Sequence, residues 1–281
     1  MDKKDFDNFF EPYSKSVDDV DANSAFWRLS DQIIFDLINR EALSIAKSGD
    51  VIFDAGGGTG RWIEKMSHKT EANFILFDKS KHMLDVAEKR ISRANLESRV
   101  KIIEGDLAKM SNIPNNSVDY VTSIYSPISF IYDYKDAFSE LNRILKPNGK
   151  ILIMAHNYHN AISSQLNNSL ADIVQISDLC KSRMVKWAPH VPPLVSFSKE
   201  TIEQELKDAG FLIDKTYGIF VYVQPGFEDF NPKNEGVSKI SKYLEITDNF
   251  NKIYEIEMAV NSYPSLVNRS MNLLSVGVKY G

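Results

Sequence analysis

Three carboxylates carry the most legible chemistry in this chain: Asp54, Asp78 and Asp106, each at or just past the end of a short apolar run. The first closes Val51-Ile52-Phe53 and opens into Ala55-Gly56-Gly57-Gly58-Thr59-Gly60. Glycines in such a loop let the backbone turn tightly and approach a ligand closely. Arg61 to Met66 then begins a helix whose N-terminus would face that ligand. Strand, glycine loop and helix in this order are how open α/β sheets build a nucleotide site. Asp78 ends the run Asn73 to Asp78, about 20 residues past the loop, where a carboxylate accepts both hydroxyls of a ribose. The spacing excludes two common sites. The third glycine of a Gly-x-Gly-x-x-Gly motif falls on Arg61 when counted from Gly56 and on Ile63 when counted from Gly58, and no Gly-Lys-Ser/Thr is present.

The elements that must position these residues alternate from residue 50 to about residue 156. Strands are expected at Val51–Asp54, Asn73–Asp78, Val100–Ile103, Val118–Ile124 and Lys150–Ala155. Helices are expected at Arg61–Ser67, Lys81–Ala94 and Tyr134–Leu145, the last with Asp133 as N-cap and Phe138, Leu141, Ile144 and Leu145 on one face. Lys146-Pro147-Asn148-Gly149 reads as the turn that ends that helix. Such alternation implies a parallel sheet with helices on both faces. Before it, Ala25 to Ala46 has amphipathic helical spacing. After it, residues 157–195 are mixed, Ser198 opens a helix that Gly210 stops, Phe211–Val223 and Met271–Val278 read as strands, and 236–261 as helical.

What does fit the loop is Asp-x-Gly-x-Gly-x-Gly, as Asp54, Gly56, Gly58 and Gly60. That pattern resembles the first motif of class I S-adenosylmethionine (SAM) methyltransferases. The segment 136–154, with Leu-Lys-Pro-Asn-Gly, is similar to that family's fourth helix and fifth strand. The resemblance covers residues 50–156 well and 196–281 by element order. It implies an α/β, Rossmann-like three-layer sandwich: a seven-stranded, mostly parallel sheet whose last strand is antiparallel, plus a helical cap. It further implies SAM as cofactor. Asp78 would hold the ribose, with Met83 against the adenine. Asp106 would accept from the adenine amino group, with the Leu107 backbone facing the ring. Asp54 would orient the loop and the methionine amino group, or cap the helix after it. Ser123 lies at the end of the fourth strand, the floor between cofactor and substrate in that family. The sequence there is Tyr125-Ser126-Pro127-Ile128, so the Asp/Asn-Pro-Pro-aromatic subclass acting on exocyclic base amines is not expected. Phe9-Phe10-Glu11-Pro12-Tyr13 looks like the lid over SAM in small-molecule members, with Tyr13 facing the cofactor.

Methyl transfer from a sulfonium is an in-line displacement, in which alignment lowers most of the barrier. A base is needed only if the nucleophile must lose a proton. His156, just past the fifth strand, is the candidate catalytic residue, and Tyr125, His156 and Trp187 the candidate substrate contacts. His82, His159 and His190 do not combine with the single cysteine or an acid into metal spacing, so no metal is expected. Tyr158, Met184, Trp187, Phe227 and Tyr243 in cap insertions at about 157–195 and 224–265 could roof a small pocket. The same residue types also build homodimer contacts.

With 281 residues, 43% of them hydrophobic, the chain suits a globular domain. The expected organisation is an N-terminal helical lid at 1–48 and a SAM-binding domain at 49–281. There are 33 basic against 38 acidic residues and no basic block, which speaks against a nucleic-acid partner. The charged start, the lack of a membrane-length apolar run and the single Cys180 suggest a cytoplasmic protein with neither a membrane partner nor an internal disulfide. The expected function is methyl transfer to O or N of a small molecule. The alternatives are a protein or tRNA methyltransferase and a non-catalytic SAM-binding protein.

Overall fold

The computed structural model describes residues 3–168, 170–230 and 236–281. Its N-terminal helices are α1 (Lys3–Ser14), α2 (Val17–Asn23) and α3 (Ala25–Ile38). The alternating region follows: β1 (Val51–Ala55), α4 (Arg61–Ser67), β2 (Asn73–Asp78), α5 (Lys81–Arg93), β3 (Val100–Glu104), β4 (Val118–Ser123), α6 (Tyr134–Ile144) and β5 (Leu145–His156). Helices α7 (Tyr158–Asn167) and α8 (Ile173–Ser182) and a small antiparallel pair, β6 (Met184–Val185) with β7 (Leu194–Val195), come next. The chain ends with α9 (Lys199–Asp208), β8 (Phe211–Ile219), α10 (Lys239–Leu244), α11 (Thr247–Val260), α12 (Pro264–Val267) and β9 (Asn272–Lys279).

The large sheet has seven strands in the order β3-β2-β1-β4-β5-β9-β8. Neighbours pair in parallel from β3 to β5, and β9 runs antiparallel between β5 and β8. The expected seven-stranded mixed sheet is therefore present. One apolar layer joins α3, α4 and α5 to one face through Phe26, Ile33, Ile63, Met66, Leu84 and Ala87. The other joins α6 and α9 to the opposite face through Phe138, Leu141, Ile202 and Leu206. A satellite cluster under α7 and α8 contains Ala161, Leu179, Val185 and Leu194. Among the described residues, no helix is long and apolar enough to cross a membrane.

Several boundaries differ from expectation for physical reasons. Residues 146–149 do not end the strand register. Leu145 pairs with Val118 and Lys150 with Tyr120, so the four residues bulge out, with Asn148 left-handed at φ +63°. The helix expected over 25–46 is α-helical only to Ile38 and closes with a π turn at Asn39–Leu43, which keeps Ala42 and Leu43 buried. The strand expected to reach Val223 stops at Ile219, because Phe220 turns left-handed at φ +58°. The amides of Val221, Tyr222 and Val223 then donate to the buried Glu257 carboxylate at 2.7, 2.9 and 2.9 Å. On α11 the acid is therefore inside, while Ile256, expected on the apolar face, is exposed. Asp133 makes no side-chain cap on α6.

Within residues 1–48 the helices pack differently. Helix α3 buries nine residues and belongs to the core layer, whereas α1 packs against α5 above the sheet's edge. Residues 231–235, within the expected second cap insertion, lie outside the described residues.

Candidate active site

A cavity of about 420 Å³ opens over the carboxyl ends of the parallel strands. That is within the roughly 300–1,000 Å³ of small-molecule sites, and the carboxyl edge is where open α/β sheets place ligands. Ten of the expected site residues line it: Tyr13, Asp54, Gly56, Gly58, Asp78, Met83, Asp106, Leu107, Tyr125 and His156.

The glycine loop owes its shape to close packing. Gly56 has φ +74°, and a Cβ there would lie 2.4 Å from the Cβ of Pro127. Only glycine lets the loop after β1 touch the loop after β4. A Cβ on Gly57 would lie 2.7 Å from Asp54 Oδ2, so this residue, not singled out from sequence, keeps room for that acid. The loop is not an open cradle of donors. The Gly56 and Gly57 amides donate to the Phe77 carbonyl, Gly58 N–H donates to Asp78 Oδ2 at 2.9 Å, and Gly60 N–H donates to Gly57 O. A ligand anchored on amide groups at the start of α4, as the sequence suggested, finds these four already engaged.

Asp54 is buried, and its Oδ1 accepts from Thr122 Oγ1 at 3.0 Å. Its Oδ2 has no hydrogen-bond partner among the described residues. Burial, aided by the nearby Asp78 charge and only partly offset by the Thr122 bond, pushes its pKa up to about 7. It makes no side-chain cap on α4, whose N-cap is Gly60. Asp78 is raised too: burial outweighs the amides of Ser80, Gly58 and Lys79 that donate to it. At Asp106 partial burial acts upward, but hydrogen bonds from Lys79 Nζ (2.6 Å) and the Ala108 amide (3.0 Å) outweigh it and hold the carboxyl below its usual range. The three acids thus differ in electrostatic state along one edge.

Tyr125 and Ser126 follow β4 with φ of +61° and +65°. Two consecutive left-handed residues with side chains cost about 1–2 kcal/mol each, so their surroundings must hold them. Tyr125 Oη donates to Asp31 Oδ1 at 2.7 Å, and its ring lies 6.0 Å from both Trp27 and Trp62. Asp31, on α3, also accepts from Arg61 Nη1 at 2.5 Å and from Lys65 Nζ. On α2, Asp18 accepts from Thr59 Oγ1 at 3.0 Å and Arg90 Nη2 at 2.5 Å. Two acids from the N-terminal helices therefore strap the glycine loop. Nothing local in the sequence distinguishes Asp18 or Asp31 from solvated helix acids.

His156 lines the cavity, and burial lowers its pKa to about 4, so its imidazole is neutral at neutral pH. His159 and His190 are exposed and away from the cavity.

Three expected site residues lie elsewhere. Gly60 is turned toward Leu76 and Ala87, where a Cβ would be 3.1 and 3.4 Å from their side chains; it seats α4 against the sheet and α5. Ser123 is buried with Oγ donating to the Ala55 carbonyl at 2.8 Å, which ties β4 to β1. Trp187 sits behind His156, ring centroids 6.3 Å apart, without reaching the cavity. The expected roof is also replaced. Tyr158, Met184, Phe227 and Tyr243 do not line the cavity; Phe6, Phe9 and Phe10 of α1, Phe130 and Phe230 do.

Residues 52–149 match the methyltransferase domain family. The chain is 29% identical over 114 residues to the ubiquinone/menaquinone biosynthesis C-methyltransferase UbiE of Shewanella oneidensis, covering 40% of this chain and 45% of that protein. It is 26% identical over 178 residues to the same enzyme of Shewanella sp. (strain ANA-3), covering 60% and 69%. Over the first of these matches the chain spans less than half the relative's length. Among solved structures, the fold resembles the YcgJ protein from Bacillus subtilis at TM-score 0.57, 17% identity and coverage of 89% and 99%. It also resembles Haemonchus contortus phosphoethanolamine N-methyltransferase 2, solved with phosphomonomethylethanolamine and S-adenosylhomocysteine, at TM-score 0.56, 20% identity and coverage of 89% and 53%.

Proposed function

We propose that this chain, whose residues 52–149 match the methyltransferase domain family, is a class I SAM-dependent methyltransferase that transfers a methyl group from SAM to a small-molecule acceptor held in the same cavity. The observation that carries the reading is the convergence of Asp54, the glycine loop, Asp78 and Asp106 on one cavity above β1, β2 and β3. The orphaned Asp54 Oδ2 is the test of fit: a buried carboxylate oxygen without a donor suits the cofactor's ammonium group. In this arrangement Asp78, already oriented by backbone amides that include those of Gly58 and Ser80, keeps lone pairs for the ribose hydroxyls. Met83 and Leu107 flank the adenine, and Asp106 accepts from its amino group. Tyr13 and the α1 aromatics close over the top.

Bound there, SAM supplies a sulfonium-activated methyl; its carbon–sulfur bond breaks as the acceptor's bond to that carbon forms. The chain's own contribution is alignment and exclusion of water. His156, neutral and at the cavity wall, is placed to take a proton from an acceptor hydroxyl or amine. The aromatic lining of the cavity and a mildly acidic sequence without a basic block support a small-molecule acceptor over a protein or tRNA.

Calorimetric titration with SAM checks this. Wild type should bind, and Asp78→Ala should bind more weakly by about 1.5–3 kcal/mol, the magnitude of hydrogen bonds to a charged group. A thermal melt of the variant reports whether loss of the Gly58 and Ser80 bonds unfolds it instead. Wild type that ignores SAM and takes NAD or ATP would overturn the reading.

A further inference from the structure

The strand order splits the cavity in two. The ends of β1, β2 and β3 carry the glycine loop and the two cofactor-side acids, Asp78 and Asp106. The ends of β4 and β5 and the start of β9 carry Tyr125, His156 and Asn272. Strands about 4.8 Å apart place β9 roughly 14 Å from β1, so the second half is a separate space.

Its walls are Trp27, Tyr125 and Phe230, with Met154 and Met271. The charged group beside these rings, the Arg61 guanidinium, is paired. The Arg61 guanidinium lies 5.6 Å from the Trp62 ring and 5.4 Å from the Tyr125 ring, and is paired with Asp31 at 2.5 Å and Asp18 at 3.7 Å. A cationic acceptor would meet a Tyr125 face already occupied by a cation, and would sit beside the donor's sulfonium. An anionic acceptor would find Arg61 already matched. Asp133 also reaches the cavity but is exposed to water.

The floor holds two polar side chains that face one another in register. His156 on β5 pairs with Asn272 on β9. Asn272 is buried; its Oδ1 takes a long 3.5 Å bond from Ser126 Oγ, and its Nδ2 has no acceptor among the described residues. The His156 ring likewise has no hydrogen bond among the described residues. One is an uncharged acceptor-capable imidazole, the other an amide donor.

We infer that the acceptor is an uncharged, flat aromatic compound whose ring hydroxyl sits between His156 and Asn272. The hydroxyl donates to the imidazole and accepts from Asn272 Nδ2, while the ring stacks among Trp27, Tyr125 and Phe230. This rests on the reading that SAM occupies the β1–β3 half. Burial keeps His156 unprotonated at neutral pH, so the pair retains one acceptor and one donor.

Three probes of one ring and different charge separate the outcomes. Full-length protein is first saturated with S-adenosylhomocysteine, then titrated calorimetrically with 2-naphthol, 2-naphthoate and 2-naphthylmethylammonium. The neutral probe should bind at least roughly tenfold more tightly than either charged one. In Asn272→Ala, 2-naphthol should lose its advantage over naphthalene, a ratio that general loosening of the fold would not move. Equal or tighter binding of a charged probe, or no binding of any probe to the cofactor-loaded protein, overturns the inference and leaves the SAM reading intact. Failure to bind S-adenosylhomocysteine at all overturns both.

Discussion

Asp54 is the residue on which cofactor binding and pH should meet. Its raised pKa of about 7 reflects a buried carboxylate with one oxygen unbonded and Asp78 nearby. An ammonium placed against Oδ2 favours the ionised form, so binding expels a proton wherever Asp54 is protonated. SAM affinity should then be highest between about pH 7 and 8, fall about tenfold per pH unit below that, and decline again above about pH 8 as the cofactor's own ammonium deprotonates. Asp54→Asn should abolish the acid-side slope as well as weaken binding. Calorimetry across pH 5.5–8.5 (a span chosen to bracket roughly one unit or more either side of the pKa) measures it, and a wild-type profile flat on the acid side would remove Asp54 from the site. Asp54, Asp78 and Asp106 were legible from sequence because each ends a strand and faces the same edge. Gly60 and Ser123 had the right type and address, yet a shift of one or two residues along the chain turned them toward the core.

At the scale of elements, the end of β8 depends on a distant helix. Three amides freed by the turn at Phe220 find their acceptor in Glu257 on α11. Hydrogen bonds to a buried carboxylate contribute about 1.5–3 kcal/mol. Glu257→Gln keeps one acceptor oxygen and adds an amide that needs its own partner, so it should destabilise the protein by about 2–3 kcal/mol. Urea unfolding with an unchanged slope would show this; a change under roughly 0.5 kcal/mol would place Glu257 with ordinary surface substitutions. Arg28 and Glu245, paired in the open at 2.7 Å, should matter far less. Periodicity placed a helical stretch over 236–261, and its Ile253 does pack on the core, but Ile256 is exposed and Glu257 is buried. The demand of unpaired backbone groups, invisible to a local pattern, decided that the acid goes in.

Across the whole molecule, the roof of the cavity is held mainly by side chains reaching from the N-terminal helices to residues of the sheet's edge. Phe9 and Phe10 lie 5.9 and 5.4 Å from Phe130, and Lys79 Nζ lies 5.6 Å from the Phe6 ring. Cofactor bound beneath should order this roof. Hydrogen exchange of amides in 6–23 should slow on adding SAM by more than in β1 and β4, whose protection already approaches the global limit. Unchanged exchange there would mean that α1 and α2 do not close over the ligand. What the sequence determined by itself was residues 51–107, the half of the cavity proposed to hold the cofactor, and the parallel sheet carrying it. There the strand, loop and acid are neighbours along the chain, so spacing alone sets their geometry. The other half was decided by tertiary structure: Tyr125 and His156 could be picked out by their place after β4 and β5, but nothing local marks Trp27, Phe230 or Asn272, and only the insertion of antiparallel β9 beside β5 and the docking of α3 bring them to the same wall.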